Sequence, residues 1–465
     1  MIRSRVSIKF GTDGWRGVIA DDFTFDNLRR AVQAVHEVMP RSAAPVPVGH
    51  DTRFHSAAFA RTAAEILAAG GRDVLLTDGP CPTPAVSCQV VASASPFGIS
   101  ITASHNPAEF NGLKIKSPRG SSAPPDVTRR VEERLARGAG VSSGGAAGAI
   151  RSFSFLDEHR RRLISMVDLE LIRRSGLTVA FDAMHGATLR ALEEIVSGGS
   201  TRVETLRGTP DPLFGGVNPE PLEANLAPLG ERTRRGGADI GLATDGDGDR
   251  IGAFDERGRF VTPLQIAPLL ALRMIAKGMR GEICKTYANT ILLDRIARKN
   301  GLPFSVHPIG FKYIAERMEA GGFLIGGEES GGIGISGFLP ERDGLLISLM
   351  LIEAIASEGK PLSELLSRME QEYGALSYFR RDIPCDPAKG RALTEGLKSH
   401  PPSLLGGMRV TGVEDLDGVK LLFGQDGWIL ARPSGTEPVL RVYCEAATAE
   451  LVRAALDDLL ELVGA

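Results

Sequence analysis

The sequence predicts an α/β chain of several alternating strand–helix segments, closed by a smaller α+β domain. Three observations predict it. Short apolar runs alternate with helical stripes through most of the chain, the pattern of βαβ units and mostly parallel sheets. A Gly/Ser/Ala-rich tract at 138–148 carries no apolar periodicity and reads as a linker. After Lys360 the order changes to consecutive strands followed by one helix.

Leu28, Val32 and Val35 form a helical stripe after Asp26, and 45–48 opens a strand ending at His50. Ser56 suits the N-cap of a helix that stops at Gly70-Gly71. Next, 73–77 reads as a buried strand, 84–91 as a helix and 97–102 as a strand. Beyond the linker the pattern restarts, with strands at 177–181, 202–206 and 239–243 and helices at 187–196 and 222–235. It restarts again after Asp255, with strands near Ile283 and Phe323 and helices near Ile266, Leu292 and Tyr313. Strand-like runs at 408–413, 419–423 and 428–431 precede a final helix at 449–462. The order of elements repeats, although no residue-level repeat is present.

At 465 residues the chain suits three or four domains, and 43% hydrophobic with 24% charged residues is ordinary for a soluble globular protein. A formal net charge of −3 supplies no field to gather nucleic acid or anionic lipid, so any phosphate site must be built locally. Five scattered cysteines without a C-x-x-C pair suggest neither a disulfide framework nor zinc, and a reduced, cytoplasmic compartment is expected. Residues 1–10 lack the apolar core of a signal peptide. The longest apolar stretch, 344–356, is too short to span a bilayer and contains Glu353. No nucleic-acid or membrane partner is expected.

Four loops carry candidate chemistry. Thr102-Ala-Ser-His-Asn-Pro107 follows a strand, and active loops of open α/β sheets sit at carboxyl strand ends. Ser104 beside His105 suits an activated nucleophile, although the loop taken alone reads first as an Asn-Pro turn with a local serine hydrogen bond. Thr244-Asp-Gly-Asp-Gly-Asp-Arg250 presents Asp245, Asp247 and Asp249 at alternate positions on a glycine turn, the donor set of a hard divalent cation. An EF-hand fits poorly: Glu256 is the twelfth position from Asp245, but Arg250 stands where the sharp-turn glycine belongs, and the flanks read as strands. Gly326-Gly-Glu-Glu-Ser-Gly-Gly332 lets a carboxylate and a hydroxyl meet sugar hydroxyls, or is simply a polar loop. Arg432-Pro-Ser-Gly-Thr-Glu-Pro438, with Arg441 after it, suits an anion-binding concavity with an arginine fork, or a β-turn.

Taken together, these loops and Phe10-Gly-Thr-Asp-Gly-Trp-Arg-Gly17 resemble the signatures of the α-D-phosphohexomutase superfamily, in order along the whole chain. Asp211-Pro-Leu-Phe-Gly-Gly and Pro219-Glu-Pro-Leu look like its phosphoglucomutase branch. The resemblance implies four domains around a central cleft, three α/β/α with mixed sheets and a C-terminal α+β one, at 1–145, 146–254, 255–365 and 366–465. It implies a phosphorylated Ser104, with Mg²⁺ held by Asp245, Asp247, Asp249 and a phosphate oxygen on Ser104. Glu328 and Ser330 match contacts to the sugar hydroxyls. Arg432, Ser434, Gly435 and Thr436 match contacts to the phosphate that is not reacting, with Arg441 beside them. Arg16, His105 and Lys114 align near the reacting phosphoryl group, and Arg250, Gly310 and Lys312 belong to the substrate site.

The activity so implied is reversible transfer of a phosphoryl group between the 1- and 6-positions of a hexose phosphate. It passes through a hexose 1,6-bisphosphate, in a monomer or homodimer. Some relatives carry His where this chain has Gly332, and Gly-His where it has Gly310-Phe311. Both departures lean toward the phosphoglucomutase branch and leave His105, Lys114 and Arg16 as candidates for the general base. The rivals are a phosphoglucosamine mutase, whose sugar loop usually has Gln where Glu329 stands, a non-catalytic sugar-phosphate sensor, and a serine-nucleophile phosphatase.

Overall fold

The structure, a computed structural model, describes residues 8–11, 13–138, 146–434 and 438–463. Most of the expected linker and the residues Gly435 and Thr436 lie outside the described residues.

Four main sheets follow one another along the chain. The first has the order Trp15–Val18, Phe110–Lys116, Gly98–Ile101, Val46–His50, Val74–Thr77, Ile150–Phe153. Its four later strands in that order run parallel, and Phe110–Lys116 returns antiparallel beside Gly98–Ile101. The second has the order Phe260–Val261, Ile251–Phe254, Ile240–Thr244, Thr178–Asp182, Arg202–Leu206, and the third Phe304–His307, Glu282–Thr286, Phe323–Gly327, Ile333–Ile335. The fourth is wholly antiparallel: Ser377–Pro384, Val439–Ala446, Trp428–Pro433, Val419–Leu422, Gly412–Glu414. Strands Ile150–Phe153 and Phe260–Val261 extend their sheets past the expected boundaries at 145 and 254.

One arrangement occurs three times. A strand parallel to its inner neighbour delivers a candidate loop, and the chain returns antiparallel along that same strand. Gly98–Ile101 returns as Phe110–Lys116, Ile240–Thr244 as Ile251–Phe254, and Phe323–Gly327 as Ile333–Ile335. The repeated order of elements in the sequence is therefore a repeated topology. It places the serine, metal and sugar loops at the carboxyl ends of equivalent strands, where α/β sheets leave room for a ligand.

Several sequence readings shift at their edges. The helix expected at 187–196 begins only at Ala191, because Met184, His185 and Leu189 take left-handed backbone angles in the loop before it. The run 408–413 divides between two sheets, as Met408–Arg409 pairs with Leu404–Leu405 and Gly412–Glu414 joins the fourth sheet. The apolar stretch at 344–356 is the helix Gly344–Glu358, capped by the Asp343 carboxylate on the Leu345 and Leu346 amides. It is buried on nearly all sides, which explains its continuous hydrophobicity. Among the described residues, no helix is long and apolar enough to cross a membrane.

Apolar packing makes one shared core of the second and third sheets, reaching from Leu163 to Tyr373, with separate clusters beneath the first and fourth sheets. The first sheet is joined to the shared body by buried charge as well. Lys116 forms an ion pair with Glu341, which also accepts from Ser87 Oγ at 3.1 Å. Removing one partner of such a pair costs about 3–5 kcal/mol, because the other charge stays buried and uncompensated. Lys116→Met should therefore lower the urea midpoint strongly, and Lys116→Met with Glu341→Leu should recover most of the loss. Equal midpoints for the single and double variants would contradict this.

Candidate active site

The serine loop is held by an arginine that sequence reading passed over. Arg53 lies three residues beyond the strand Val46–His50. It donates to the carbonyls of Ser104 (2.7 Å), Asn106 (2.5 Å), Pro107 (2.7 Å) and Phe110 (3.0 Å). Asp51 pairs with its Nε at 3.1 Å, and the ring of Phe214 lies 4.8 Å from the guanidinium carbon. Ser104 takes φ of 54°, an uncommon angle for a side-chain-bearing residue, and its amide donates to Thr102 Oγ1 at 2.8 Å. The hydroxyl is thereby turned toward the second sheet, where it donates to Asp245 Oδ2 at 2.9 Å; His105 Nδ1 lies 3.4 Å away.

The metal loop meets the serine loop at van der Waals range. A Cβ on Gly246 would fall 2.5 Å from the Ser104 carbonyl oxygen, so this position has no room for a side chain. Asp245, Asp247 and Asp249 are all buried and can each offer an oxygen within 4.8 Å of the others. Their remaining oxygens are engaged. Asp245 Oδ1 accepts from the amides of Asp249 (2.9 Å) and Arg250 (3.1 Å). Asp247 Oδ2 accepts from Thr83 Oγ1 (2.6 Å) and Lys114 Nζ (2.9 Å), and Asp249 Oδ2 from Arg342 Nη2 (2.5 Å). Asp247 Oδ1 and Asp249 Oδ1 are buried without a hydrogen-bond partner among the described residues. Two orphaned carboxylate oxygens beside the Asp245 oxygen that faces Ser104 form an all-oxygen donor set that fits a hard divalent cation.

Charge explains the rest of the site. Burial, with Asp249 and Asp247 alongside, pushes Asp245 well above the usual carboxylate range. Burial also raises Asp247, but Lys114 and the Thr83 hydrogen bond outweigh it and hold that carboxyl low. Lys114 pairs with Asp13 (2.7 Å), Asp247 (2.9 Å) and Asp249 (3.2 Å), and these carboxylates overcome burial to raise its pKa. It is a fixed cation and a poor base. Arg16 donates to Asn106 Oδ1, and burial lowers its pKa. Burial, then Arg250, Arg16, Lys114 and Arg342, push His105 well below its ordinary value, which favours the neutral imidazole.

The remaining candidates are placed around this center. Arg250 pairs with Glu220 at 3.0 Å. Glu328 reaches Arg342 at 3.2 Å and through it Asp249, and Ser330 lies in the same loop. Lys312 and Asp13 line one cavity of about 210 Å³ between the first sheet and the helix Phe311–Ala320. In the fourth sheet, Arg432 and Arg441 are register partners on adjacent strands. Arg432 pairs with Asp417 at 2.8 Å, and Asp417 accepts the Ile309 amide at 2.9 Å, which brings Arg432 to the turn containing Gly310. The Ser434 amide donates to the Val439 carbonyl at 2.9 Å. Sequence reading missed Arg53, Thr83, Glu220 and Arg342 as parts of the site. Arg53 offered a signal, a charged residue just past a strand end, and Glu220 lay in a motif already noted, Pro219-Glu-Pro-Leu.

The models of phosphoglucomutase/phosphomannomutase α/β/α domains I, II and III match residues 7–140, 157–258 and 262–373, and that of the C-terminal domain matches 407–462. A phosphoglucomutase/phosphomannomutase of Thermococcus kodakarensis is 30% identical over 96% of each chain. A phosphoglucosamine mutase of Clavibacter michiganensis is 31% identical over 98% of each. The crystal structure of a Thermus thermophilus protein described as a phosphomannomutase superposes with a TM-score of 0.89 at 36% identity, covering 99% of this chain and 100% of that one. The chain belongs to the phosphoglucomutase/phosphomannomutase family of phosphohexomutases. The fold is the four-domain α/β architecture of the α-D-phosphohexomutase superfamily.

Glu328 gives a pH-dependent prediction. Burial outweighs Arg342 and raises its carboxyl from 4.5 to about 7. A carboxyl raised on folding contributes stability as the neutral acid at low pH and loses it as pH climbs through the folded value. Glu328→Gln should therefore stabilise the protein more at pH 8 than at pH 5, by on the order of 3 kcal/mol. Thermal midpoints of both proteins at the two pH values check this, and a gain independent of pH would contradict it.

Proposed function

We propose that the chain interconverts hexose 1-phosphates and 6-phosphates, with glucose phosphates first and mannose phosphates second. A phosphorylated Ser104 and a hexose 1,6-bisphosphate intermediate carry the group across. The observation that supports this best is the Ser104 hydroxyl aimed at Asp245, beside two buried carboxylate oxygens without a hydrogen-bond partner among the described residues. Asp245, Asp247 and Asp249 would hold Mg²⁺, which supplies charge neutralisation at the phosphoryl oxygens.

The residues divide the work as follows. Phospho-Ser104 gives its phosphoryl group to the free hydroxyl of the bound hexose monophosphate: the bond to Oγ breaks, the proton lost by the sugar hydroxyl ends on Oγ, and a bisphosphate forms. Arg16 and Lys114 lie where they offset phosphoryl charge. When the second phosphate returns to Ser104, the serine proton passes by way of His105 Nδ1, 3.4 Å away, to the sugar oxygen that leaves as a hydroxyl. Glu328 and Ser330 read the 3- and 4-hydroxyls, which keep equivalent places when the intermediate turns over. Arg432, Ser434, Gly435, Thr436 and Arg441 grip the distal phosphate, with Lys312, Gly310 and Arg250 along its approach. Closure over the cleft excludes water, which would otherwise hydrolyse the phosphoserine.

Glucosamine phosphate is the second reading, since relatives named for that activity are as similar as those named for glucose and mannose. A coupled assay on glucose, mannose and glucosamine monophosphates, with and without a hexose 1,6-bisphosphate, separates the readings. Turnover of glucose 1-phosphate should be fastest, stimulated by the bisphosphate, and lost on chelation. Ser104→Ala should lose roughly 10³-fold or more, as other groups acting at the reacting center do. Full activity in that variant, or release of inorganic phosphate as the main product, would overturn the proposal.

A further inference from the structure

The run Glu341-Arg342-Asp343-Gly344 leads into the helix Gly344–Glu358, outside every candidate loop, yet it contacts the first sheet, the metal loop and the sugar loop at once. Glu341 pairs with Lys116 of the first sheet, and Asp343 with His159 at 2.5 Å. The Gly344 amide donates to the Gly248 carbonyl at 2.9 Å, inside the metal loop. Arg342, between them, is almost wholly buried. Its Nη2 binds Asp13 (2.9 Å) and Asp249 (2.5 Å), and its Nη1 binds Glu328 (3.2 Å). The guanidinium carbon lies 5.1 Å from the centroid of the Phe311 ring. Its Nε is a buried donor without a hydrogen-bond partner among the described residues.

This arrangement accounts for both departures seen in the sequence. A Cβ on Gly332 would fall 2.2 Å from Arg342 Cδ, so the arginine fills the space that a side chain at 332 would need. Phe311, the other departing position, supplies the flat face on which the guanidinium rests. Gly332, Phe311 and Arg342 are one packing unit. Through it, one planar cation touches a carboxylate of the metal loop and the carboxylate of the sugar loop, with two different nitrogens of one rigid fork.

We infer that Arg342 is a positioning residue for sugar recognition: it orients Glu328 toward the sugar hydroxyls and fixes that carboxylate relative to Asp249. Discrimination at the sugar and placement of the phosphoryl group are thereby coupled. The inference rests on the mutase reading of the same cleft. It differs from a purely structural role in one respect. Losing the fork must blur the distinction between hexoses that differ at a hydroxyl Glu328 reads, whether or not the protein is destabilised.

The test measures glucose 1-phosphate and its C4 epimer, galactose 1-phosphate, by calorimetric affinity and by kcat/KM. Wild type, Arg342→Lys, Arg342→Met, Gly332→Ala, Glu328→Gln and Arg342→Met with Glu328→Gln are compared. Gly332→Ala keeps the arginine but displaces its Cδ, so it tests the claim even if Arg342→Met does not fold. Arg342→Met and Gly332→Ala should each reduce the glucose-to-galactose ratio by roughly tenfold or more, the scale of one mispaired buried polar group. Arg342→Lys should recover only part of it, because an ammonium lacks the fork. Glu328→Gln should cost little further in the Arg342→Met background, since both changes remove one interaction. Unchanged ratios in Arg342→Met or Gly332→Ala, or fully additive losses in the double variant, would overturn the inference. Wild type that discriminates in affinity but does not turn over either sugar would overturn the mutase reading, leaving the affinity ratios to decide the role of Arg342.

Discussion

Like charge held out of water is the constraint on which the structure depends. Asp245, Asp247 and Asp249 lie buried within 4.8 Å of one another. Two like charges 4 Å apart repel by about 4 kcal/mol even at an effective dielectric of 20. The loop persists because Lys114 arrives from the first sheet and Arg342 from the segment after the third. Neither cation belongs to the second sheet, which carries the aspartates. Charge balance at the cleft therefore also ties the first sheet to the body shared by the second and third. Among the described residues the same balance leaves Asp247 Oδ1 and Asp249 Oδ1 without hydrogen-bond partners and Asp245 strongly raised, the state that one more cation would relieve.

The thrice-repeated hairpin explains how that constraint is met without a long-range design at each loop. The serine, metal and sugar loops each leave a strand whose inner neighbour is parallel, and the chain returns antiparallel on its outer side. Loops so placed converge when the sheets pack, and small residues set how closely. Gly246 lets the Ser104 carbonyl approach the metal loop, and Gly332 lets Arg342 lie across the sugar loop. The fourth sheet joins through different contacts: Glu445 accepts from the Ile291 amide at 2.9 Å, and Asp417 links Arg432 to Ile309.

What could be read from the sequence follows from the range of the interaction behind it. The aspartates announce themselves because alternate carboxylates on a glycine turn are a local pattern, and the strand before Ser104 is a local apolar run. Strand and helix order was legible for the same reason, while the start of Ala191–Val196 was not, since left-handed angles in the preceding loop leave little trace in composition. Arg342 was illegible: its partner Asp13 is 329 positions away, and nothing in Glu-Arg-Asp-Gly marks it as more than a polar turn. Thr83, 164 positions from Asp247, was hidden likewise. The choice among candidate bases also needed three dimensions. Only the pairing of Lys114 with three carboxylates marks it as a fixed cation, and only the fold shows His105 Nδ1 3.4 Å from the serine hydroxyl.

The central claim is that the phosphoryl group passes through Ser104 within the carboxylate-lined cleft. Rapid-quench labelling with hexose 1-phosphate carrying ³²P tests it most directly, followed by peptide mapping of the protein. The account predicts label on the peptide containing Ser104, appearing before or with labelled 6-phosphate and chased by unlabelled substrate. Formation of labelled 6-phosphate while the Ser104 peptide stays unlabelled would contradict it.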